Sequence, residues 1–177
     1  MRTTPPRILL IGSGLAGSLL ACMLAKQGFA ITMVERRSDP RAMGYGGGRS
    51  INLALSARGI AALAAAGLAD RVMNTEAIAM RGRIMHPVVA GGAGGAGGGG
   101  AAGAVGKLVF QPYSSNERDA INSVSRGGLN LMLLKAAAEY ANVSMRFDLP
   151  CIDVNLGDAT TLPTAVFQHA DGRVETI

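Results

Sequence analysis

The chain has 177 residues, which is enough for one domain with a sizeable hydrophobic core. Its net charge of +5 comes from 14 arginines and 3 lysines spread along the sequence, and only 4% of the residues are aromatic, which argues against nucleic-acid binding. The opening apolar stretch breaks at Gly12, so it is neither a signal peptide nor a membrane span, and the two cysteines lack a metal or redox spacing, which favours a reduced, cytoplasmic setting.

The first predicted element is a βαβ unit over residues 7–35. Its parts are a strand Ile8–Ile11, the run Gly12-Ser13-Gly14-Leu15-Ala16-Gly17, a helix Leu15–Lys26, a strand Ile31–Val34 and Glu35. This order is the fingerprint of a dinucleotide-binding fold. A glycine turn without a ligand is the alternative, which the coincidence of two strands, a helix and a terminal acid disfavours.

Each glycine of this run has a separate role. Gly12 permits a tight turn, Gly14 leaves room for a pyrophosphate, and Gly17 lets the helix lie close to the sheet. The helix N-terminus offers amide groups to that pyrophosphate. Glu35 is placed to accept hydrogen bonds from a ribose diol, which favours FAD or NAD over NADP, although the adjacent Arg36 and Arg37 are compatible with a 2′-phosphate.

The middle of the chain mixes short helices and strands. Residues 36–48 are predicted to be an irregular loop because they are rich in glycine, proline and charge. Ser56 is predicted to cap a helix through Leu63 that ends near Gly67, with a short helix Leu68–Met73 after it. Strands are predicted over Ile78–His86 and Lys107–Gln111. Residues 91–106, almost entirely glycine and alanine, are predicted to connect them as a flexible loop.

The last third returns to an α/β pattern. It is predicted to contain a strand Ile121–Ser125, a helix from Arg126 to about Tyr140 and a strand Val143–Phe147. After Cys151, alternating residues around Asp171-Gly172 indicate a hairpin with a type I′ turn. The sequence stops just after this turn, as expected of a chain cut inside a sheet. Together the elements predict an α/β sheet decorated by antiparallel strands.

Three segments in order resemble the FAD-dependent aromatic hydroxylases, in particular those that act on kynurenine. They are residues 48–59 (GRSINLALSARG), 80–86 (MRGRIMH) and 123–130 (SVSRGGLN). The resemblance implies a Rossmann-like FAD-binding domain of the glutathione reductase and aromatic hydroxylase type, incomplete, with an inserted antiparallel hairpin of the substrate domain. It divides the chain into a first FAD-binding part (1–76), a substrate-binding region (77–113, with the insertion 91–106) and a second FAD-binding part (114–177).

The resemblance also implies which residues touch the cofactor. Those near the pyrophosphate are Gly12, Gly14, Leu15, Ala16 and Gly17, and those around the adenosine ribose are Val34, Glu35, Arg36 and Arg37. Ala54 is expected to present its backbone near the flavin, Arg126 to reach FAD from the start of its helix, and Cys151 to lie by the adenine through a backbone contact. For Arg126, a solvated helix arginine is the alternative reading.

Arg83 and Tyr113 match the pair that holds the amino-acid end of kynurenine in this family. A guanidinium binds a carboxylate through two hydrogen bonds, and a phenol adds one oriented bond. Arg81 and Arg83 are expected on one face of a single strand, with Arg83 as the ligand. His86 and His169 are read as structural or solvated residues without a triad or metal partner. No catalytic side chain and no metal are predicted.

The activity that the resemblance implies is hydroxylation of L-kynurenine to 3-hydroxykynurenine by NADPH and O2 on bound FAD, a step of tryptophan degradation and NAD synthesis. An FAD-dependent hydroxylase of another aromatic acid and a non-catalytic nucleotide-binding fragment are the alternatives. A second flavin-binding motif is missing, since Asp171-Gly172 lies in a polar hairpin. We therefore expect that most of the substrate pocket and any membrane anchor lie beyond Ile177, and that this chain alone turns over poorly or not at all.

Overall fold

The computed structural model describes residues 7–43, 52–87, 107–116 and 119–177, which form five helices and eleven strands. The helices are α1 (Leu15–Lys26), α2 (Pro40–Met43), α3 (Ala57–Ala65), α4 (Ala69–Thr75) and α5 (Arg126–Ala138). The strands are β1 (Arg7–Ile11), β2 (Ala30–Val34), β3 (Asn52–Leu55), β4 (Ala77–Met80), β5 (Gly82–Met85), β6 (Val109–Pro112), β7 (Ile121–Ser125), β8 (Val143–Arg146), β9 (Cys151–Asn155), β10 (Thr164–Gln168) and β11 (Val174–Thr176).

A parallel sheet in the order β1-β2-β8 forms the centre of the fold. Helix α1 connects β1 to β2, so the predicted βαβ unit is confirmed, with α1 at the predicted bounds. Ile31 and Met33 of β2 are buried against the helices, because a strand in the middle of a parallel sheet is covered on its faces. This arrangement places the ends of all three strands at one edge of the sheet.

Helices α1 and α5 pack side by side over this sheet. Leu15 and Leu19 of α1 pack against the cluster that contains Leu129, near the start of α5. Cys22 and Ala25, further along α1, share a cluster with the later α5 residues Leu134, Ala136 and Ala137. The two helices therefore begin at the same end of the molecule. Burial raises the pKa of the Cys22 thiol to about 11, so this cysteine acts as a small core residue.

The region predicted as one strand, Ile78–His86, is two strands in two different sheets. β4 pairs with β7 in the antiparallel sheet β3-β7-β4, whereas β5 pairs only with β6 among the described strands. The prediction was wrong because Arg81 joins two segments with different long-range partners, which a period-two pattern cannot distinguish. The predicted pairing of Lys107–Gln111 with this region is confirmed through β6.

The loop predicted over residues 36–48 also contains an element that was missed. Pro40 begins the short helix α2, and Asp39 precedes it, accepting a hydrogen bond from the Arg41 backbone N–H at 2.9 Å. Aspartate followed by proline is a helix-start signal, since the carboxylate caps the first turn and proline needs no amide partner there. Residues 44–48 of that prediction, residues 48–51 of the hydroxylase-like segment and the predicted flexible loop 91–106 lie outside the described residues.

The tail forms an antiparallel sheet in the order β11-β10-β9. Phe167 of β10 is fully buried with Val34 and Leu149, so this sheet packs against the parallel one. The hairpin is confirmed, but its turn is not type I′. Gly172 has a φ of +85°, while Asp171 is not among the described residues other than glycine with positive φ, and type I′ requires positive φ at both positions.

Strand β3 (Asn52–Leu55) was not predicted, whereas the elements from α3 to α4 and from β7 to β8 agree with the sequence predictions. Ser56 caps α3 by accepting the Gly59 N–H at 3.3 Å, and α4, β7, α5 and β8 follow as expected within a few residues at their ends. No helix among the described residues has the length and apolar character needed to cross a membrane. Within the same residues, no cluster of three or more His, Cys, Asp or Glu side chains could hold a metal ion.

Candidate functional site

The turn between β1 and α1 has the geometry that the glycine pattern predicts. Gly12 has a φ of +99°, where a side chain is strained, and its N–H donates to the Val34 carbonyl at 2.7 Å. A Cβ at Gly17 would overlap the carbonyl oxygen of Gly12. Since the atom in the way belongs to the backbone and cannot rotate aside, the helix can approach the turn this closely only with glycine at position 17.

Gly14 differs from these two because the space beside it is open. A methyl group at Gly14 would meet no described atom within 4 Å, and Gly14 is the N-cap of α1. No side chain of the described residues caps this helix, so an anion could approach the amides of its first turn. Leu15, half-buried, and Ala16, exposed, follow in that turn.

Glu35, just after β2, is held facing this turn. One carboxylate oxygen accepts the Ser13 N–H at 2.9 Å, and the other accepts the Arg37 N–H at 3.0 Å. Both bonds fix the carboxylate between the turn and the end of β2. Ser13 was not predicted as a site residue, because its shorter bond comes from the backbone N–H, which any residue but proline provides; its hydroxyl adds a longer contact to the same carboxylate oxygen at 3.4 Å.

The segment after β8 closes the other side of the site. The Leu149 N–H donates to the Glu35 carbonyl at 3.0 Å, and the Asp148 N–H donates to the Arg37 carbonyl at 3.1 Å. Asp148 has a φ of +56°, and its carboxylate accepts the Ser38 hydroxyl proton. This segment was missed, although its position at the carboxyl end of a parallel strand is where ligands bind in such sheets.

A cleft of about 320 Å³ lies between these elements, beyond the carboxyl ends of the parallel strands. It is lined by Ile11, Gly12, Val34, Glu35, Arg36, Arg37, Leu149, Pro150 and Cys151. Six of these nine residues were predicted as cofactor residues from the sequence. The structure thus brings together residues that are more than 100 positions apart in a cleft with one carboxylate, two arginines and apolar walls.

Six predicted cofactor residues are not part of the cleft lining: Gly14, Leu15, Ala16 and Gly17 lie at the start of α1, and Ala54 and Arg126 lie farther away. Ala54 is exposed on β3, opposite Ser123 of β7. Arg126 is exposed at the first position of α5, which starts at the same end of the molecule as α1. Both therefore lie on the β3-β7 side of the fold and not against the Glu35 carboxylate.

Arg83 and Tyr113 lie on neighbouring strands. Arg83 of β5 is directly opposite Gln111 of β6, and its Nε–H donates to the Gln111 Oε1 at 2.8 Å. Tyr113 follows two residues after Gln111, and its N–H donates to the Arg81 carbonyl at 3.0 Å. Because alternate residues of paired strands share a face, the register places Arg83, Gln111 and Tyr113 on one face of this hairpin.

His169 has a structural role, which is one of the two readings given from the sequence. Its Nε2 lies 3.0 Å from the Glu175 carboxylate, which Arg146 also contacts, at 2.7 Å through Nη2. The hydrogen bond from Arg146, with a smaller effect of His169, lowers the pKa of Glu175 to about 2. This group connects the tail hairpin to the end of β8. His86 is exposed, as predicted.

Comparison with known proteins places this geometry in a family. A family model described as an FAD binding domain matches residues 6–173. Proteins named kynurenine 3-monooxygenase from Myxococcus xanthus and Stenotrophomonas maltophilia are 40% and 39% identical over 150 and 170 residues. These alignments cover 85% and 95% of this chain but 29% and 33% of the relatives, so the chain spans about a third of their length.

A solved structure supports the fold. The crystal structure of p-nitrophenol 4-monooxygenase from Pseudomonas putida matches 99% of this chain and 39% of its own chain, with a TM-score of 0.66 and 16% sequence identity. At this identity the match concerns the fold alone. It agrees with the predicted α/β class and with the Rossmann-like topology described above.

Proposed function

Because this chain belongs to the family of FAD-binding domains, we propose that it holds the adenosine diphosphate portion of FAD within a larger monooxygenase. We further propose that the whole enzyme uses NADPH and O2 to hydroxylate L-kynurenine to 3-hydroxykynurenine. The relatives named kynurenine 3-monooxygenase, at about 40% identity, support this substrate over other aromatic acids and over a non-catalytic role.

The observation that carries the cofactor proposal is the cleft at the end of the parallel sheet. The residues there suit the group: Gly14 leaves open space before an uncapped helix N-terminus, and Glu35 presents a fixed carboxylate to a ribose diol. Arg36 and Arg37 flank the same position. In this proposal the pyrophosphate lies at the start of α1 and the adenosine extends toward Pro150 and the Cys151 backbone.

The rest of the cofactor is assigned to the other side of the fold. We place the flavin near the Ala54 backbone and assign Arg126 a cofactor contact, since α1 and α5 begin at the same end. The division into 1–76, 77–113 and 114–177 remains part of this proposal. When bound, FAD supplies the redox and oxygen chemistry, while residues of this chain bind and orient the cofactor and the substrate.

Arg83 and Tyr113 are proposed to bind the amino-acid end of the substrate. The guanidinium can pair with the carboxylate through two hydrogen bonds, and the phenol adds a third donor or acceptor. Their common face on the β5-β6 hairpin supports a joint role. The aromatic ring would then extend away from this polar end.

The test uses the full-length protein that contains this chain. Arg83→Ala is expected to raise the KM for L-kynurenine about 10- to 100-fold, because a charge-assisted hydrogen-bonded pair is lost. The FAD content should not change. Arg81→Ala, two residues away, is the matched control and should change KM less than about threefold. Loss of FAD together with activity in Arg83→Ala would make Arg83 a structural residue and contradict its assignment.

A further inference from the structure

We infer that Gln111 is a positioning residue that orients the Arg83 guanidinium toward the carboxylate of the substrate. The inference rests on the proposed function, because it concerns how Arg83 binds that carboxylate. Neither the glycine fingerprint nor the segments with family resemblance pointed to Gln111. It follows from one cross-strand contact in the β5-β6 hairpin.

The contact is defined by the strand register. Arg83 and Gln111 are directly opposite each other in the antiparallel pair, so their side chains start from the same face at short separation. The Arg83 Nε–H donates to the Gln111 Oε1 at 2.8 Å. Pro112, the next residue, pairs with Gly82, and the Tyr113 N–H closes the pairing on the Arg81 carbonyl.

This bond uses the nitrogen that is not needed for pairing with a carboxylate. A guanidinium can bind a carboxylate through its two terminal Nη groups, while Nε–H points to the side. The bond from Nε to Gln111 restricts the rotation of the guanidinium and leaves its two Nη groups for a carboxylate. An exposed arginine otherwise samples many rotamers, and restricting it before binding lowers the entropic cost of binding.

The neighbouring residues suit a ligand with one charged and one apolar end. Met85 and Val109 form the next cross-strand pair on the same face as Arg83 and Gln111. Tyr113 lies on the opposite side of Arg83 along the hairpin, and all three of these side chains are 43–53% exposed. Along the hairpin, Arg83 therefore stands between an apolar pair and a phenol. This order suits the binding of an amino acid with an aromatic or aliphatic side chain.

If Gln111 had a purely structural role, replacing it would lower the free energy of unfolding or the FAD content. Both partners are exposed, and exposed polar pairs contribute little to the free energy of unfolding. Replacing Gln111 should thus leave folding and FAD content intact. Its effect should instead appear in the KM of substrates that carry a carboxylate.

The experiment measures steady-state kinetics and FAD content of the full-length protein. Gln111→Met keeps the length of the side chain but removes the acceptor, and we expect it to raise the KM for L-kynurenine about five- to tenfold with kcat within about twofold. Gln111→Glu is expected to raise KM further, because its carboxylate competes with the substrate for the guanidinium. Gln27→Met, at an exposed glutamine after α1, is the control and should match the wild type.

Two further comparisons distinguish a Gln111 that acts through Arg83 from a Gln111 that affects substrate binding independently of Arg83. In an Arg83→Ala background, Gln111→Met should change KM by less than about 1.5-fold, because the group it orients is gone. For kynuramine, the analogue of kynurenine without the carboxylate, Gln111→Met should leave KM unchanged. An effect of similar size in either case would overturn the inference.

The outcomes also distinguish this inference from the proposed function. If Arg83→Ala raises KM but Gln111→Met does not, the inference is wrong and the proposed function stands. If the wild-type protein does not oxidise NADPH in response to L-kynurenine, or Arg83→Ala leaves KM unchanged, the proposed substrate site fails and the inference fails with it.

Discussion

At the scale of single residues, the two glycines at the start of α1 have opposite surroundings. Gly17 faces the Gly12 carbonyl at a distance that excludes a methyl group, whereas Gly14 faces open space. The first is therefore required by the packing of the protein itself. The second is required only if a ligand occupies the space, which makes the pair a direct probe of the cofactor proposal.

We predict that Gly17→Ala lowers the free energy of unfolding by about 1–3 kcal/mol, since the backbone must move to accommodate the methyl group. Gly14→Val should lower the free energy of unfolding by about 1 kcal/mol or less, because it only changes the N-cap residue of α1. It should lower the affinity for FAD at least about tenfold, because its side chain would fill the space beside the turn. Urea denaturation and FAD titration of the full-length protein measure the two effects. Unchanged FAD affinity in Gly14→Val would show that the pyrophosphate does not lie beside Gly14.

A second residue-scale prediction concerns Glu175, whose pKa falls from 4.5 to about 2 through the hydrogen bond from Arg146. A carboxylate with a lowered pKa in the folded state stabilises the fold above its unfolded pKa, and this stability is lost as the pH falls. Glu175→Gln should therefore be less stable than the wild type at pH 6. The difference should shrink between about pH 4.5 and pH 2, as measured by urea denaturation.

The matched control for this titration is Glu139→Gln, which removes an ion pair with Arg71 on a more exposed carboxylate. Its difference from the wild type should be small over the same range. A Glu175→Gln difference that stays constant from pH 6 to pH 2 would show that the stabilisation does not depend on ionisation of Glu175.

The site residues divide into those that sequence can reveal and those that it cannot. Gly12, Gly14, Gly17 and Glu35 follow from local backbone demands and a fixed spacing, so they were predicted directly. Leu149, in contrast, joins the cleft through a backbone bond to Glu35, a contact across 114 positions of the sequence. Its side chain carries no signal of that role, because the contact is set by the parallel pairing of β2 with β8.

At the scale of elements, the predictions succeeded where the signal was local. The bounds of α1, the Ser56 cap of α3 and the start of α5 at Arg126 follow from glycine, serine and apolar spacing. The continuous strand predicted through Arg81 was wrong, because its two halves pair with different distant strands. The type I′ prediction for the Asp171-Gly172 turn was wrong because Asp171 does not have a positive φ. Helix α2 was missed although the Asp39-Pro40 signal for it is local.

The packing of α1 against α5 gives a prediction at this scale. Ala21 is fully buried in the cluster shared by the two helices and the parallel sheet. Ala21→Leu should lower the free energy of unfolding by about 1–3 kcal/mol, because a close-packed interface has no room for the added methylenes. Ala138→Leu, at the exposed end of α5, is the control and should change it by less than about 0.5 kcal/mol. Equal effects would contradict the close helix contact.

At the scale of the whole molecule, the chain combines a parallel sheet, whose strand ends border the cleft, with antiparallel strands that include the β5-β6 hairpin and Arg83. The family and the fold class were predicted from the sequence and are confirmed by the FAD-binding family model and by the structural similarity to p-nitrophenol 4-monooxygenase. In the proposed arrangement, the flavin portion of FAD extends from the cleft to the β5-β6 hairpin. Since the chain is about a third of its relatives' length, the activity has to be measured on the full-length protein.

The most direct test of this account is NADPH oxidation by the purified full-length protein with and without L-kynurenine, with the product identified by mass. We predict a yellow protein with bound FAD whose NADPH oxidation rises with L-kynurenine and yields 3-hydroxykynurenine. A protein that binds FAD but responds to another aromatic acid and not to L-kynurenine would contradict the substrate assignment, and a protein that binds no FAD would contradict the site itself.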